Sequence, residues 1–260
     1  MTMVSFRELH HLDVPFVLAN AWDVGSGLAF AAAGFPAIGT TSFGIAASTG
    51  QPDGGRSSKT ATAALVGQLA RLQVHVTADI EDGYSDSPEE VAEFVAELAT
   101  AGVVGVNIED STDGHLVDPA AFADKVAAVK RRTPTVFINA RVDNLWFAEQ
   151  ATVAAVLLRA HEYEVAGADG IFVPGLVDAH QIHAITAGID LPVNVLAHPS
   201  LTVAELGALG VRRVSSGSLP YRAAMDSAVA SAIALRDGLG LPAATPYWDL
   251  QSRLEAFNQG

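Results

Sequence analysis

Two stretches, His75-Val-Thr-Ala-Asp-Ile-Glu-Asp-Gly83 and Gly105-Val-Asn-Ile-Glu-Asp110, decide the fold. Each is a short run carrying valine and isoleucine, apolar on successive residues, that ends in acids. A strand covered by helices on both faces reads this way, because neither face meets water. Between the two runs, Ser87-Pro88-Glu89-Glu90 supplies a cap, a proline in the first turn and two acids at the positive end of a helix dipole. Val91, Phe94, Val95 and Leu98 then recur at helical spacing, and Gly102 stops the helix. Strand, helix and strand over residues 75–110 make a βαβ unit with parallel strands.

The same alternation extends in both directions. Further strands are expected at Pro15–Asn20, Ala37–Thr41, Thr135–Arg141, Gly170–Gly175, Pro192–Ala197 and Arg212–Gly217. Asp118-Pro119 opens another helix, and Thr202-Val-Ala-Glu205 is a capping box for a later one. Eight strands alternating with helices in 260 residues predict an α/β chain: a single (β/α)8 TIM-type barrel over residues 1–240. Residues 241–260, with Pro242, Pro246, Tyr247 and Trp248, read as an amphipathic C-terminal helical extension. Two arrangements stay open for it: a cover over the barrel, or an arm packed on or swapped with a neighbouring subunit.

Composition narrows the function. Half of the residues are hydrophobic and 17% are charged, which requires a large buried core. The balance of 15 basic against 29 acidic residues gives a net charge of −14, so nucleic acid and anionic membrane surfaces are poor partners. The absence of cysteine removes disulfides, zinc–thiolate sites and thiol catalysis. The first residues, MTMVSFRELHHLDVP, lack the apolar core of a signal peptide, so a cytoplasmic protein is expected.

In a parallel barrel the chemistry sits at the C-terminal ends of the strands. The expected polar residues there include Asn20, Thr41, Ser42, Asp79, Glu81, Asp82, Asn107, Glu109, Asp110, Arg141, Asp143 and Asn194. Acids concentrate at the third and fourth strand ends. Asp79 and Glu81, two apart, should share one side of a strand, with Glu109 at the same height on the next. Carboxylates held this close raise one another's pKa unless a cation neutralises them. Mg²⁺, with Mn²⁺ as a substitute, suits such oxygen ligands and keeps several waters; the alternative is helix caps and surface acids. Arg141 suits a bidentate grip on a substrate carboxylate, or else an internal salt bridge to one of those acids. Gly39-Thr-Thr-Ser-Phe-Gly44 is either a nest of backbone N–H groups for a carboxylate or an ordinary tight turn.

Other patterns fail. Asp79-Ile-Glu-Asp-Gly83 places its glycine one position early for a calcium loop, and Gly25-Ser-Gly27 lacks the third glycine of a dinucleotide fingerprint. His180 and His183 read as solvated surface, and His10 and His11 carry no role.

Taken in order, NAWD (20–23), GTTSFGIAAS (39–48), Asp53, DIEDGY (79–84), NIEDS (107–111), NARVDN (139–144), GADGIFVPG (167–175) and GVRRVSSGS (210–218) resemble the isocitrate lyase/phosphoenolpyruvate mutase superfamily. The resemblance runs from about Phe6 to Arg236. It implies a homotetramer or dimer, and Mg²⁺ holding a small 2-oxo acid or dicarboxylate. By position, Asp79 is similar to the direct metal ligand, and Asp53, Glu81 and Glu109 to the residues that hold its waters. Arg141 matches the carboxylate-binding arginine, and Thr41, Ser42 and Phe43 match the backbone segment for the substrate's other end.

Two departures matter. Pro174 stands where phosphonate-handling members often carry histidine. The lyases' long loop with its catalytic cysteine is replaced by Asp110-Ser-Thr-Asp-Gly-His115, so a retro-aldol cleavage would need Asp113, His115 or water as base. The resemblance therefore implies a Mg²⁺-dependent carbon–carbon lyase, oxaloacetate decarboxylase-like or methylisocitrate lyase-like, working through a metal-stabilised enolate. The alternatives are a C–P bond enzyme (phosphonopyruvate hydrolase or phosphonomutase) and a 2-oxo acid binder without catalysis.

Overall fold

Among the described residues, eight of the ten strands run parallel and close on themselves, each β-to-β step being crossed by helix. The computed structural model describes residues 4–259. A short helix α1 (Phe6–Leu9) leads into β1 (Phe16–Ala21), α2 (Val24–Ala32), β2 (Ala37–Thr40), α3 (Ser42–Ser48), α4 (Lys59–Leu69), β3 (His75–Asp79), α5 (Pro88–Thr100) and β4 (Gly105–Glu109). A small antiparallel hairpin follows, β5 (Ser111–Thr112) with β6 (His115–Leu116). The chain resumes with α6 (Pro119–Arg132), β7 (Phe137–Arg141), α7 (Val153–Val165), β8 (Gly170–Phe172), α8 (Ala179–Ala187), β9 (Val193–Leu196), α9 (Val203–Ala208) and β10 (Val211–Ser215). Helices α10 (Leu219–Arg236) and α11 (Tyr247–Gln259) end it. The barrel order is β1-β2-β3-β4-β7-β8-β9-β10, with β10 returning to β1. All eight expected barrel strands are present.

Local chemistry sets the helix starts. Ser87 Oγ accepts the Glu90 N–H ahead of Pro88, Asp118 accepts the N–H groups of Ala120 and Ala121, and Thr202 with Glu205 forms a complete capping box. Asp23 caps α2, so the Gly25-Ser-Gly27 stretch is a helix start. The expected Gly39–Gly44 turn is instead a strand end joined to a helix, with Thr41 as the cap of α3. Gly39 lets β1 and β2 pack closely here: a Cβ would stand 2.7 Å from Asn20 Nδ2 and 2.8 Å from Leu18 Cδ2, and these buried side chains would have to shift.

The main core lies between strands and helices, from Ile38, Val76 and Val106 to Phe94, Val126 and Ile182. A second, smaller cluster of Phe6, Leu9, Phe16, Leu18, Ala37 and Phe137 joins α1 to strand residues of the barrel. His10, given no role by the sequence, belongs to this group. It is buried, stacks on Phe137 at 4.1 Å between ring centroids, and its Nδ1 meets Phe6 O at 2.9 Å. Burial drives its pKa down to about 3, so the ring is neutral.

Along the strands, inward positions two apart form two levels. Thr77, Asn107, Asn139, Asn194 and Arg213 lie one step below Asp79, Glu109, Arg141, Leu196 and Ser215 respectively. Helix α10 meets the barrel through Tyr221, whose ring stands edge-on to Trp22 and Phe43, and leaves Met225, Val229 and Leu235 exposed. Among the described residues, no helix is long and apolar enough to cross a membrane.

Candidate active site

A cleft opens where the strands end. Its inner part, about 90 Å³, is lined by Thr41, Ser42, Phe43, Asp53, Asp79, Asn107 and Arg141, by apolar Trp146, Phe172, Pro174 and Leu196, and by Asn20, Ser215 and Ser218. An outer part of about 380 Å³ shares Asp53, Arg141 and Trp146 and reaches Glu109, Thr112, Asp113 and Phe147.

Asp79 ends β3, and its position is fixed from the neighbouring strand. The Ser42 N–H and Ser42 Oγ both donate to Asp79 Oδ2, at 3.1 and 3.0 Å, while the Asp79 N–H donates to Thr40 Oγ1 at 2.9 Å. Of the N–H groups of the expected nest, that of Ser42 is thus used to orient Asp79 and that of Thr41 donates to Ala21 O. Among the described residues, the N–H of Phe43, a residue that lines the cleft, and Asp79 Oδ1 have no partner. Asp53 comes from the loop before α4, and burial followed by the charge of Asp79 raises its pKa.

Arg141 ends β7 and is gripped by acids. Its Nη1 lies 2.7 Å from Glu109 Oε2 and its Nε donates to Asp143 Oδ1 at 2.6 Å. Burial opposes the Arg141 charge, but Glu109, Asp143 and Asp79 outweigh it and keep the guanidinium firmly protonated. Of the two expectations for Arg141, the internal salt bridge is present on two of its nitrogens, while Nη2 has no partner among the described residues. Glu109 is pushed well above the usual carboxylate range by burial; Arg141 pulls it back, and Asp143, Asp79 and Asp53 push it further up.

Three expected residues are placed elsewhere. Strand β3 stops at Asp79, and Glu81 sits in a turn at φ 49°, so period-two alternation no longer applies. Its carboxylate turns from the cleft to accept Ser58 Oγ at 2.5 Å and the Arg56 N–H at 2.8 Å. Burial raises its pKa against these bonds. Asn194 occupies the lower level of β9, where Oδ1 accepts from Ser215 Oγ, and Leu196 takes the place at the rim. His115 lies on β6 with its side chain 83% exposed, 3.7 Å from Glu149, and lines neither part of the cleft. Asp113, at the hairpin tip with φ 52°, does line the outer part. Sequence reading passed over Trp146, Phe172 and Leu196, whose apolar character gave no chemical signal.

The loop and hairpin are pinned. Asp82 accepts from Arg56 Nε at 2.9 Å and from Thr112 Oγ1 at 2.8 Å, and Arg56 also reaches Asp86. Ser111 Oγ donates to Asp143 Oδ2 at 2.5 Å. This short hairpin stands where a long loop was expected to be missing.

The donor set fits a hard divalent cation through few direct contacts. Among the described residues, no three of His, Asp and Glu come together closely enough to ligate one ion. Asp79 Oδ1 nonetheless has no protein donor among the described residues and Asp53 lines the cleft, while burial first, with neighbouring carboxylates adding to it, raises the pKa of Asp53 and of Glu109. Mg²⁺ is commonly held by one or two carboxylates and waters.

Comparison with known proteins agrees with this architecture. The sequence profile of the family described as phosphoenolpyruvate phosphomutase matches residues 6–236. An uncharacterized protein of Mycobacterium tuberculosis is 52% identical over 251 residues, 96% of each chain. An oxaloacetate decarboxylase of Pseudomonas aeruginosa is 34% identical over 173 residues, 62% of this chain and 58% of that protein. Among solved structures, a Burkholderia cenocepacia J2315 protein superposes with a TM-score of 0.87 at 35% identity, covering 95% of this chain and 93% of the other. A phosphonopyruvate hydrolase in complex with oxalate and Mg²⁺ superposes with a TM-score of 0.84 at 25% identity, covering 97% and 96%. On barrel, cleft and sequence alike, the chain belongs to the phosphoenolpyruvate mutase/isocitrate lyase superfamily.

Proposed function

We propose that the chain is a Mg²⁺-dependent lyase that breaks a carbon–carbon bond in a small 2-oxo acid, with decarboxylation of oxaloacetate as the reaction its cleft supports best. One observation carries this reading. The cleft brings the charged side chains of Asp53, Asp79 and Arg141 together with apolar Phe172, Pro174 and Leu196, and the Arg141 guanidinium lies 5.8 Å from the centre of the Phe172 ring. Among the described residues that line it, none is histidine, lysine or cysteine.

Asp79 would hold the cation directly, with Asp53 and Glu109 toward its waters and Glu81 behind them. When bound, the cation would polarise the 2-oxo group as a Lewis acid. Arg141 Nη2 and the Phe43 N–H are free to hold the neighbouring carboxylate. The carboxylate to be lost would then lie toward Phe172, Pro174 and Leu196, apolar side chains that offer its charge no hydrogen bond of their own. Loss of CO₂ leaves the bonding electron pair on C3, delocalised on to the C2 oxygen, and a solvent proton completes the product. No protein base is required to break this bond, which suits a cleft without one. Retro-aldol cleavage would instead fall to Asp113. A phosphonate carries more charge than a carboxylate, and Arg141 is the cleft's sole lysine or arginine among the described residues. The Pseudomonas relative's name and the oxalate–Mg²⁺ complex of the phosphonopyruvate hydrolase support small-acid chemistry in this scaffold.

The test is product formation from oxaloacetate, methylisocitrate and phosphonopyruvate, with Mg²⁺ and with EDTA. Pyruvate released from oxaloacetate well above the rate with Mg²⁺ alone supports the reading. Turnover of phosphonopyruvate alone moves the chain to C–P chemistry. Turnover of none leaves a binding protein.

A further inference from the structure

The lower level of the barrel holds an arrangement that the reaction above does not use. Arg213 is fully buried, and among the described residues no carboxylate lies within ion-pair distance of it. Its Nε donates to Ser215 Oγ at 3.1 Å and its Nη2 to Asn107 Oδ1 at 3.1 Å, while Nη1 has no partner. A buried cation without a counter-charge is a costly choice for a barrel interior, which branched apolar residues ordinarily fill. Its geometry fixes something that an apolar residue could not.

What it fixes is Asn107. This residue lies mid-strand in β4, with Asp79 as its cross-strand neighbour on one side and Asn139 on the other. A guanidinium has donors only, so the Asn107 atom facing Arg213 must be the oxygen. Asn139 Nδ2 donates to the same oxygen at 2.8 Å. With Oδ1 held from two sides, the amide cannot flip, and Nδ2 is directed away from both. Asn107 lines the inner cleft, and its Nδ2 is not among the buried polar atoms sealed without a partner.

We propose that Asn107 is a ligand-binding residue: its amide donates from the floor of the cleft to an oxygen of the bound acid, in an orientation fixed by Arg213 and Asn139. The inference rests on the small-acid reading of the cleft, though not on the bond that is broken. Asn107 Nδ2, Arg141 Nη2 and the Phe43 N–H are all donors, so the group they surround is an acceptor: a carboxylate or 2-oxo oxygen. Asn107 adds a donor without adding charge. Arg213 and Asn139 are positioning residues beneath it.

Oxalate is the probe, titrated calorimetrically in the presence of Mg²⁺. Asn107→Ala should weaken oxalate about 10-fold or more, the loss of one charge-assisted hydrogen bond. Asn107→Asp, which replaces the donor by an anion, should weaken it further. Mg²⁺ binding without oxalate should change less than twofold in Asn107→Ala. Positioning is tested by a cycle: Arg213→Met should weaken oxalate several-fold in the wild-type background and less than twofold in Asn107→Ala. If Arg213→Met does not fold, Asn139→Ala and Arg213→Lys supply the same cycle. Wild-type affinity in Asn107→Ala overturns the inference and leaves the small-acid reading standing. Equal losses in both backgrounds overturn the positioning role. Failure of the wild type to bind oxalate overturns the small-acid reading itself, and this inference with it.

Discussion

Arg141 Nη1 and Glu109 Oε2 stand 2.7 Å apart at the ends of two adjacent strands whose residues 109 and 141 are direct partners in the ladder. The pair is therefore set by strand register, and no loop needs to move to make it. Asp143, two residues beyond Arg141, takes Nε and completes the clamp.

Because the clamp uses the planar fork, Arg141→Lys keeps the charge and loses the geometry. Turnover of oxaloacetate should fall about 100-fold, comparable to loss of one preorganised donor worth about 2.7 kcal/mol. Steady-state kinetics at saturating Mg²⁺ check this. A lysine variant with unchanged kcat/KM would place Arg141 among structural salt bridges only.

The barrel was legible because its signals are local. Strands covered on both faces write themselves as unbroken apolar runs, and caps such as Ser87 and Asp118 act within three residues. The acids at strand ends were legible for the same reason. What escaped depends on contacts between distant segments. Nothing near Ser42 announces that its N–H turns to Asp79, 37 positions on. The left-handed turn at Glu81 is held by Ser58 and Arg56 from another segment, so alternation read past the end of the strand misplaced it. Asn194 and His115 were misplaced by a level and a face, differences of one or two residues that polarity alone does not reveal. Arg213 stood within the GVRRVSSGS stretch, but nothing there announces its contact with Asn107, 106 positions away.

Asp82 ties two cleft segments together: Arg56 from the loop that carries Asp53, and Thr112 from the β5–β6 hairpin. Removing one partner of a buried ion pair typically costs about 3–5 kcal/mol. Arg56 is one-third exposed, so Asp82→Ala should cost about 2–3 kcal/mol in urea unfolding. Mg²⁺ affinity should fall with it, since Asp53 is no longer anchored. Loss of stability with unchanged Mg²⁺ affinity would separate the loop from the metal site.

Met225, Val229 and Ile233 recur every four residues on α10 and are 44%, 60% and 41% exposed. They form one apolar stripe on a helix that has no fully buried residue of its own. A second copy covering this stripe is the expected arrangement, consistent with a dimer or tetramer. Light scattering should give a multiple of the chain mass, and Val229→Glu with Ile233→Glu should reduce it to that of one chain. A wild-type monomer would overturn this.

His10 gives a pH dependence with a definite sign. The native ring titrates near pH 3, whereas an unfolded chain's histidine titrates near 6.5. Between these values the unfolded state binds a proton that the native state does not, so stability falls as pH falls. The slope approaches about 1.4 kcal/mol per pH unit well below 6.5. In urea unfolding at about pH 7.5 and about pH 5.5, the wild type should lose roughly 1 kcal/mol more than His10→Phe, which keeps the stacking on Phe137 without the titration. Equal losses would mean that the ring is reached by water and protons.

The carboxylates of the cleft work in the opposite direction. Asp53, Glu81 and Glu109 all have native pKa values raised by burial, so above the ordinary carboxylate range the native state retains protons that the unfolded chain has released. Their contribution to stability is therefore lost as pH rises, by up to about 1.4 kcal/mol per group for each unit of displacement. A cation at Asp79 reverses this, because it favours the ionised forms and binds more tightly as protons leave. The gain in Tm from saturating Mg²⁺ over EDTA should thus grow steadily from about pH 5.5 to about pH 8. Asp79→Ala should abolish the gain while leaving the metal-free protein as stable as the wild type or more so, because one of the charges that crowd Asp53 and Glu109 has gone. A gain independent of pH, or one that survives in Asp79→Ala, would mean that the ion binds elsewhere. The acids at the ends of β3 and β4 would then be structural, and the lyase reading would lose its metal.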